Sequence, residues 1–438
     1  MQAKPYPKYK PSGVEWLGDV PEHWEVKRLK MAAHLTDKKV EADEENPVPY
    51  IGMENIESWT GRLLPINPDV VPTGTANAFK AGHTLFGKLR PYLAKACNPD
   101  FDGLCSTELL VLNGVEFDRD SLRYALLSDG FIKLVDSSTY GSKMPRASWD
   151  FIGNCVLPIA PPAEQRDIAA FLGRETGRVD RLVAKKRELI ERLKEKRTAL
   201  ISRTVTRGLP AEAAAKAGLP ANPPLKPSAL DWLGDIPAHW EVRKFSREVA
   251  IAEGQVDPEK EPYASMLLIG PEHVESGTGR LLQRATAADQ AAESGKYLSS
   301  KGDVIYSKIR PALRKLVIAP EDCLCSADMY PLRGQSRVDN RFLAWFFLSE
   351  EFSGWSVLES DRVAMPKINR DTLNELRMPI PPLPEQAAIA AYLDEETAKL
   401  DALVGKVDEA VERLQEYRTA LITAAVTGKM DVRKEIAA

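Results

Sequence analysis

Two stretches of this 438-residue chain carry apolar side chains at alternating three- and four-residue steps. The first, from Pro162 to Arg207, places Ile168, Leu172, Val179, Leu182, Leu189, Leu193 and Leu200 on one stripe, interrupted by Glu175, Lys186 and Lys196. The second, near the C-terminus, places Ile389, Leu393, Leu400, Leu403, Val407, Ala410, Leu414, Tyr417 and Leu421 in the same register, with Glu396 at the one polar position. This spacing predicts two long helices with coiled-coil seams. A helix of about 45 residues is roughly 65 Å long at 1.5 Å per residue. Its apolar stripe needs a partner, and the other copy is the obvious one.

The remaining pattern is mixed. Short apolar runs such as "TLFGKL", "ELLVLNG" and "CVLPIA", bounded by Gly, Pro and Asn, read as strands, whereas "DRDSLRYALLSDGFIKLVDSS" and "DNRFLAWFFLSEEFSGWSVLE" read as helices. The chain also repeats itself. "WLGDVPEHWEVKRLK" at Trp16 returns as "WLGDIPAHWEVRKFS" at Trp232, "IGMENIESWTGRLL" as "IGPEHVESGTGRLL", and "GKLRPYLAK" as "SKIRPALRK". The expectation is therefore an α+β fold made by tandem duplication: an N-terminal domain over 1–161, a first long helix over 162–207, a Pro- and Ala-rich linker over 208–228, a second domain over 229–382 and a second long helix over 383–430. The linker favours antiparallel pairing of the helices, since it then has only to carry the end of the first helix to the second domain beside it. Two related but unequal heads on such a frame suit the reading of two different half-sites on duplex DNA.

Composition narrows the classes. A net charge of -4 with a pI near 5.9 leaves no global basic footprint, so any nucleic-acid surface must be local. Five cysteines without a paired framework point to a reducing compartment. The apolar run "FLAWFFL" is far short of a membrane span, and Met1 is followed by a Lys, Pro and Tyr tail rather than a signal sequence, so the expected location is the cytoplasm with no membrane partner.

The Trp-containing openings, the "GKLRP" and "SKIRP" runs, the "SKMPRAS" and "VAMPKIN" segments, the "EQ" helix starts and the duplicated "RTALI" helix ends together resemble the specificity subunit of type I restriction-modification systems. The resemblance covers nearly the whole chain. It implies two target-recognition domains alternating with two long helices that pair as an antiparallel coiled coil. It further implies that each domain reads one half of a bipartite asymmetric DNA target. The partners it implies are duplex DNA, DNA adenine methyltransferase (modification) subunits, and an endonuclease/translocase (restriction) subunit.

Within the repeats, Lys88, Arg90 and Lys95 match Lys308, Arg310 and Lys315, and Lys143 and Arg146 lie opposite Lys367 and Arg370. These residues are the candidate DNA contacts. Because two heads reading different sequences need the same phosphate anchors but different base readers, the shared basic residues are expected to position DNA, and base reading is expected where the copies diverge, for example 65–80 against 283–300. No catalytic constellation is found. "NPPL" at 222–225 lacks the aromatic of a methyltransferase motif, "TGKM" lacks a phosphate loop's glycine and hydroxyl residue, "CLC" at 323–325 is two ligands short of a zinc site, and His23 and His239 read as packing. The expectation is a non-catalytic subunit with no metal and no cofactor. The competing class is a two-headed coiled-coil scaffold that binds proteins.

Overall fold

The computed structural model describes residues 5–41, 48–67, 74–360 and 366–433. The chain divides into two compact units, one comprising Met1–Arg187 with Asp408–Ala438, the other Glu188–Val407. Each unit thus contains one head and portions of both long helices, Pro162–Arg207 and Leu383–Val426.

In the first unit two sheets lie against each other. One has the order Lys39–Glu41, Thr75–Phe79, Gly103–Cys105, Tyr50–Ile51; the other has Ala33–Leu35, Leu109–Gly114, Thr84–Gly87, Ala96–Cys97. Strand periodicity decides what each face buries. Leu85, Leu109 and Val111 share one apolar cluster with Phe79 and Cys105 of the other sheet. Phe86, Leu110 and Leu112 face the opposite way, against Leu122, Leu126, Phe131 and Val135 of the helices Arg119–Leu126 and Asp129–Ser137. A strand buried on both faces reads as a continuous apolar run, which is why "LLVL" lacks polar alternation. The second unit repeats this plan: Ile305 and Met329 pack toward Cys323 and Cys325, while Val304, Tyr306, Tyr330 and Leu332 pack toward Phe342 and Phe346.

The "EQ" pair at each helix start locks helix to head. Gln165 donates from Nε2 to the carbonyls of Glu116 and Ala160 at 2.8 and 2.9 Å, and its Oε1 accepts the Asp118 N–H at 2.6 Å. Gln386 makes the same three contacts, with Arg337, Pro381 and Asp339, each at 2.8 Å. Asp118 and Asp339 in turn cap the next helix, accepting from Asp120 and Ser121 in one copy and from Arg341 and Phe342 in the other. The preceding glutamates hold the histidines of the Trp motif: Glu164 meets His23 at 2.8 Å and Glu385 meets His239 at 2.7 Å.

The helices pair antiparallel within each unit. In the first, Ile168 and Leu172 share a cluster with Leu421, Ile422 and Val426, and farther along Val179 and Val183 meet Val411 and Leu414. In the second, Ile201 and Val205 share a core with Ile389 and Leu393. The seam read in the sequence holds at Ile168, Leu172, Val179, Ile389, Leu393, Leu400 and Leu421, which are buried, and fails at Leu182, Leu189, Leu403 and Tyr417, which are exposed. The buried positions Ile168, Val179 and Ile190, and likewise Ile389, Leu400, Val411 and Ile422, recur every eleven residues. That period keeps pace with a nearly straight helix, whereas a seven-residue repeat drifts around it.

Each helix pair is also bolted to its head by the arginine of "RTALI". Arg418 donates from Nε to Asp180 at 2.8 Å, and from its terminal nitrogens to the carbonyls of Trp59 and Thr60 at 2.7 and 3.1 Å. Arg197 does the same with Asp401, Gly277 and Thr278 at 3.0, 2.8 and 3.2 Å. Replacing Arg418 by Ala leaves two carbonyls and a carboxylate without their donor, and the expected loss is about 2 kcal/mol, as for a hydrogen-bonded charge. Thermal unfolding of the full chain checks this: Arg418→Ala and Arg197→Ala each lower the midpoint, whereas the exposed Arg192→Ala leaves it unchanged.

Candidate nucleic-acid interface

The strand Thr84–Gly87 runs into a loop that its backbone holds rigidly. The Lys88 N–H donates to the Glu108 carbonyl at 3.0 Å, and Arg90 turns into the left-handed region with φ of 49° before Pro91 begins a short 3-10 turn. The Pro145 segment lies alongside, with Arg90 N–H on the Pro145 carbonyl at 2.7 Å and Ala147 N–H on the Lys88 carbonyl at 3.0 Å. The second unit copies the arrangement: Arg310 has φ of 47° and donates to the Pro366 carbonyl at 2.7 Å, and Ile368 donates to Lys308 at 2.9 Å. A non-glycine residue held at positive φ carries strain that only a well-determined loop keeps, and finding it twice marks the loop as built for position.

This pairing brings Lys88, Arg90, Lys143 and Arg146 to one edge of the first head, and Lys308, Arg310 and Lys367 to one edge of the second. The candidate residues do not all serve alike. Among the described residues Lys88, Arg90, Lys143, Lys308, Arg310 and Lys367 form no ion pair, so their charge is available to a ligand. Arg146 is held by Glu108, with its Nε 3.0 and 3.1 Å from the carboxylate oxygens. Lys95 and Lys315 point inward, donating to the carbonyls of Met53 and Pro271 at 2.6 Å in both copies, and burial pushes the Lys95 ammonium below its ordinary pKa. Arg370 donates to the carbonyls of Ile251 and Ala252 and lies over the Tyr330 ring with Lys308.

The loop register also revises one equivalence. Leu89 bridges Arg146, and Ile309 bridges Lys367, so Arg146 corresponds to Lys367. Arg370 follows the helix cap Asn369 just as Trp149 follows the cap Ser148, and so it has no basic counterpart. Of the divergent stretch 65–80, residues 68–73 lie outside the described residues.

Beside the first loop opens a cavity of about 540 Å³, lined by Lys39, Thr75, Asn77, Lys88, Thr107 and Tyr140 among others. Lys39 and Asn77 carry no motif; Asn77 falls in the divergent stretch 65–80 where base reading is expected, whereas Lys39 lies outside it. Among the described residues no group of three or more His, Cys, Asp or Glu could hold a metal ion. The five cysteines are buried free thiols, and burial pushes Cys97, Cys105, Cys155 and Cys323 up to about 12, far from thiolate chemistry. No described helix is long and apolar enough to cross a membrane.

Comparison with known proteins agrees with this layout. The model of the type I restriction modification DNA specificity domain matches residues 249–413. The chain is 28% identical over 427 residues to the type I restriction enzyme EcoDI specificity subunit of Escherichia coli, spanning 94% of this chain and 90% of that protein. It is 23% identical over 442 residues to the MjaVIII specificity subunit of Methanocaldococcus jannaschii, spanning 94% of each. A chain from a solved type I R-M system, 20% identical, superposes with a TM-score of 0.67 over 93% of this chain and 98% of its own, and so shares the fold. Residues 249–413 thus match the type I DNA specificity domain, and over nearly its whole length the chain is similar to type I restriction-modification specificity subunits.

Proposed function

We propose that the chain reads a bipartite, asymmetric duplex target, one half-site per head, and that methyltransferase and restriction subunits perform the chemistry while this chain, itself non-catalytic and cytoplasmic, supplies recognition. The observation that carries the reading is the twice-built basic loop: Lys88 and Lys308 sit at equivalent, backbone-locked positions, while the residues around them differ. Shared cations suit the phosphate backbone, which is the same in every sequence; differing neighbours suit base edges, which are not. The local basic edges also reconcile DNA binding with a net charge of -4. The scaffold alternative gains no support from any feature of the heads.

The long helices support the partner half of the reading. Leu182 and Leu403 occupy equivalent positions in the repeat and are 42% and 47% exposed, a duplicated pair of apolar side chains that the described residues leave uncovered. Each copy suits one methyltransferase subunit. Replacing Leu182 and Leu403 together by Asp is expected to abolish co-purification with that subunit while leaving the thermal midpoint of the chain unchanged; undiminished co-purification would place the contact elsewhere.

The inward and outward lysines separate the roles. Lys88→Ala or Lys308→Ala is expected to weaken binding to matched and scrambled duplexes alike and to reduce the slope of log affinity against log salt by about one unit. Lys95→Ala and Lys315→Ala instead lower the unfolding midpoint, because a half-buried carbonyl loses its donor. Titrations of labelled duplex at several salt concentrations, with parallel melts, distinguish these outcomes.

A further inference from the structure

The two heads offer an internal comparison that isolates one position. In the first, Asn77 sits on the strand Thr75–Phe79, opposite Lys39 on one side and Cys105 on the other. In the second, Tyr297 sits opposite Cys325, and Cys105 and Cys325 begin the matching runs "CSTE" and "CSAD". Asn77 and Tyr297 therefore occupy the same place in the strand register. The frame around them is shared: Lys88 and Lys308 follow equivalent strands, and the Arg146 and Lys367 segments bridge them identically. The lining is not. Leu110 in the first head becomes Tyr330, which lies beneath Lys308 and Arg370. Tyr297 packs against an apolar core cluster, whereas Asn77 lines the cavity of about 540 Å³.

Asn77 is incompletely bonded in a way that specifies what it lacks. Its Nδ2 donates to the Leu109 carbonyl at 3.0 Å, which fixes the amide orientation, while its Oδ1 is shielded from solvent and has no hydrogen-bond partner. An unpaired buried acceptor is costly enough to require a reason. One Nδ2 proton also remains uncommitted, since the amide nitrogen carries two. An acceptor and a donor side by side on an asparagine match the N6 amino group and N7 of adenine, a pairing that no other base edge in the major groove satisfies. Lys39, the cross-strand neighbour of Asn77, has a side chain 60% exposed and held only by a solvent-exposed ion pair with Asp37 at 3.9 Å, a contact weak enough to yield to an entering base edge.

We propose that Asn77 is a specificity-determining residue of the first head, recognising an adenine by accepting from its N6 amino group and donating to its N7, and that Tyr297 at the equivalent position makes the second head read a different base. This rests on the DNA-reading function proposed above. The test selects binders from a randomised duplex pool with the full-length chain, then replaces each adenine of the selected sequence in turn by purine or by 7-deazaadenine, which leaves the protein untouched. In the native chain one adenine of one half-site should show a loss of about tenfold or more with either analogue. Asn77→Ser and Asn77→Ala should remove that analogue sensitivity and the preference at that position, leaving the other half-site and the salt slope unchanged. Sensitivity that persists in both variants, or a half-site without an adenine, would overturn the assignment, as would an equal loss of affinity on all sequences. If the native chain selects no sequence at all, the DNA-reading function itself fails, a result distinct from failure of this residue.

Discussion

One buried guanidinium closes each unit. Arg197 and Arg418 are 7% and 5% exposed, and a charge so sheltered persists only where a counter-ion and hydrogen-bond acceptors replace water. Asp401 and Asp180 supply the first, and two consecutive turn carbonyls of the head supply the second. The guanidinium's planar fork fits this task, because its donors meet a carboxylate on one edge and carbonyls on another without rotating. The arginine that fastens the first head comes from the second long helix, and the one that fastens the second head comes from the first, so each unit draws on both long helices.

From that constraint the interface follows. A head fastened at its helix start by Gln165 or Gln386, and at its turn by Arg418 or Arg197, presents its loops without freedom to wander. The loop of Lys88, and that of Lys308, is then fixed a second time by main-chain bonds to the neighbouring proline segment. In the proposed role, a loop whose main chain is fixed this way would save part of the ordering cost of binding, leaving only the lysine side chains to be ordered.

Much of this was legible before the structure. Duplication identified the heads, and the apolar stripes identified two helices that must find partners, because both signals survive as residue spacing. The helix register came through only in part: Ile168 and Val179 lie on the stripe read in the sequence and are buried, but Leu182 and Val183 both fit an apolar stripe, and only packing shows that Val183 is the buried one. Lys95 and Arg370 misled for a different reason. Their partners are main-chain carbonyls, which have no letter in a sequence, so an inward lysine and an outward lysine look alike. Asn77 falls in the divergent stretch 65–80 where base reading is expected, but nothing in the sequence separates it from its neighbours, since its distinction is an acceptor left without a donor. The equivalence of Arg146 with Lys367 follows from the shared Met-Pro pairs of "SKMPRAS" and "VAMPKIN", and the backbone bridges agree with it.

The account separates anchors common to both heads from readers peculiar to each. Its most direct test is the sequence of methylated positions in the DNA of a host carrying this chain with its methyltransferase partner. The account predicts a single motif composed of two short half-sites of different sequence, separated by unread base pairs. A motif that is one continuous block, or two identical half-sites despite Asn77 and Lys39 in one head and Tyr297 in the other, would contradict it.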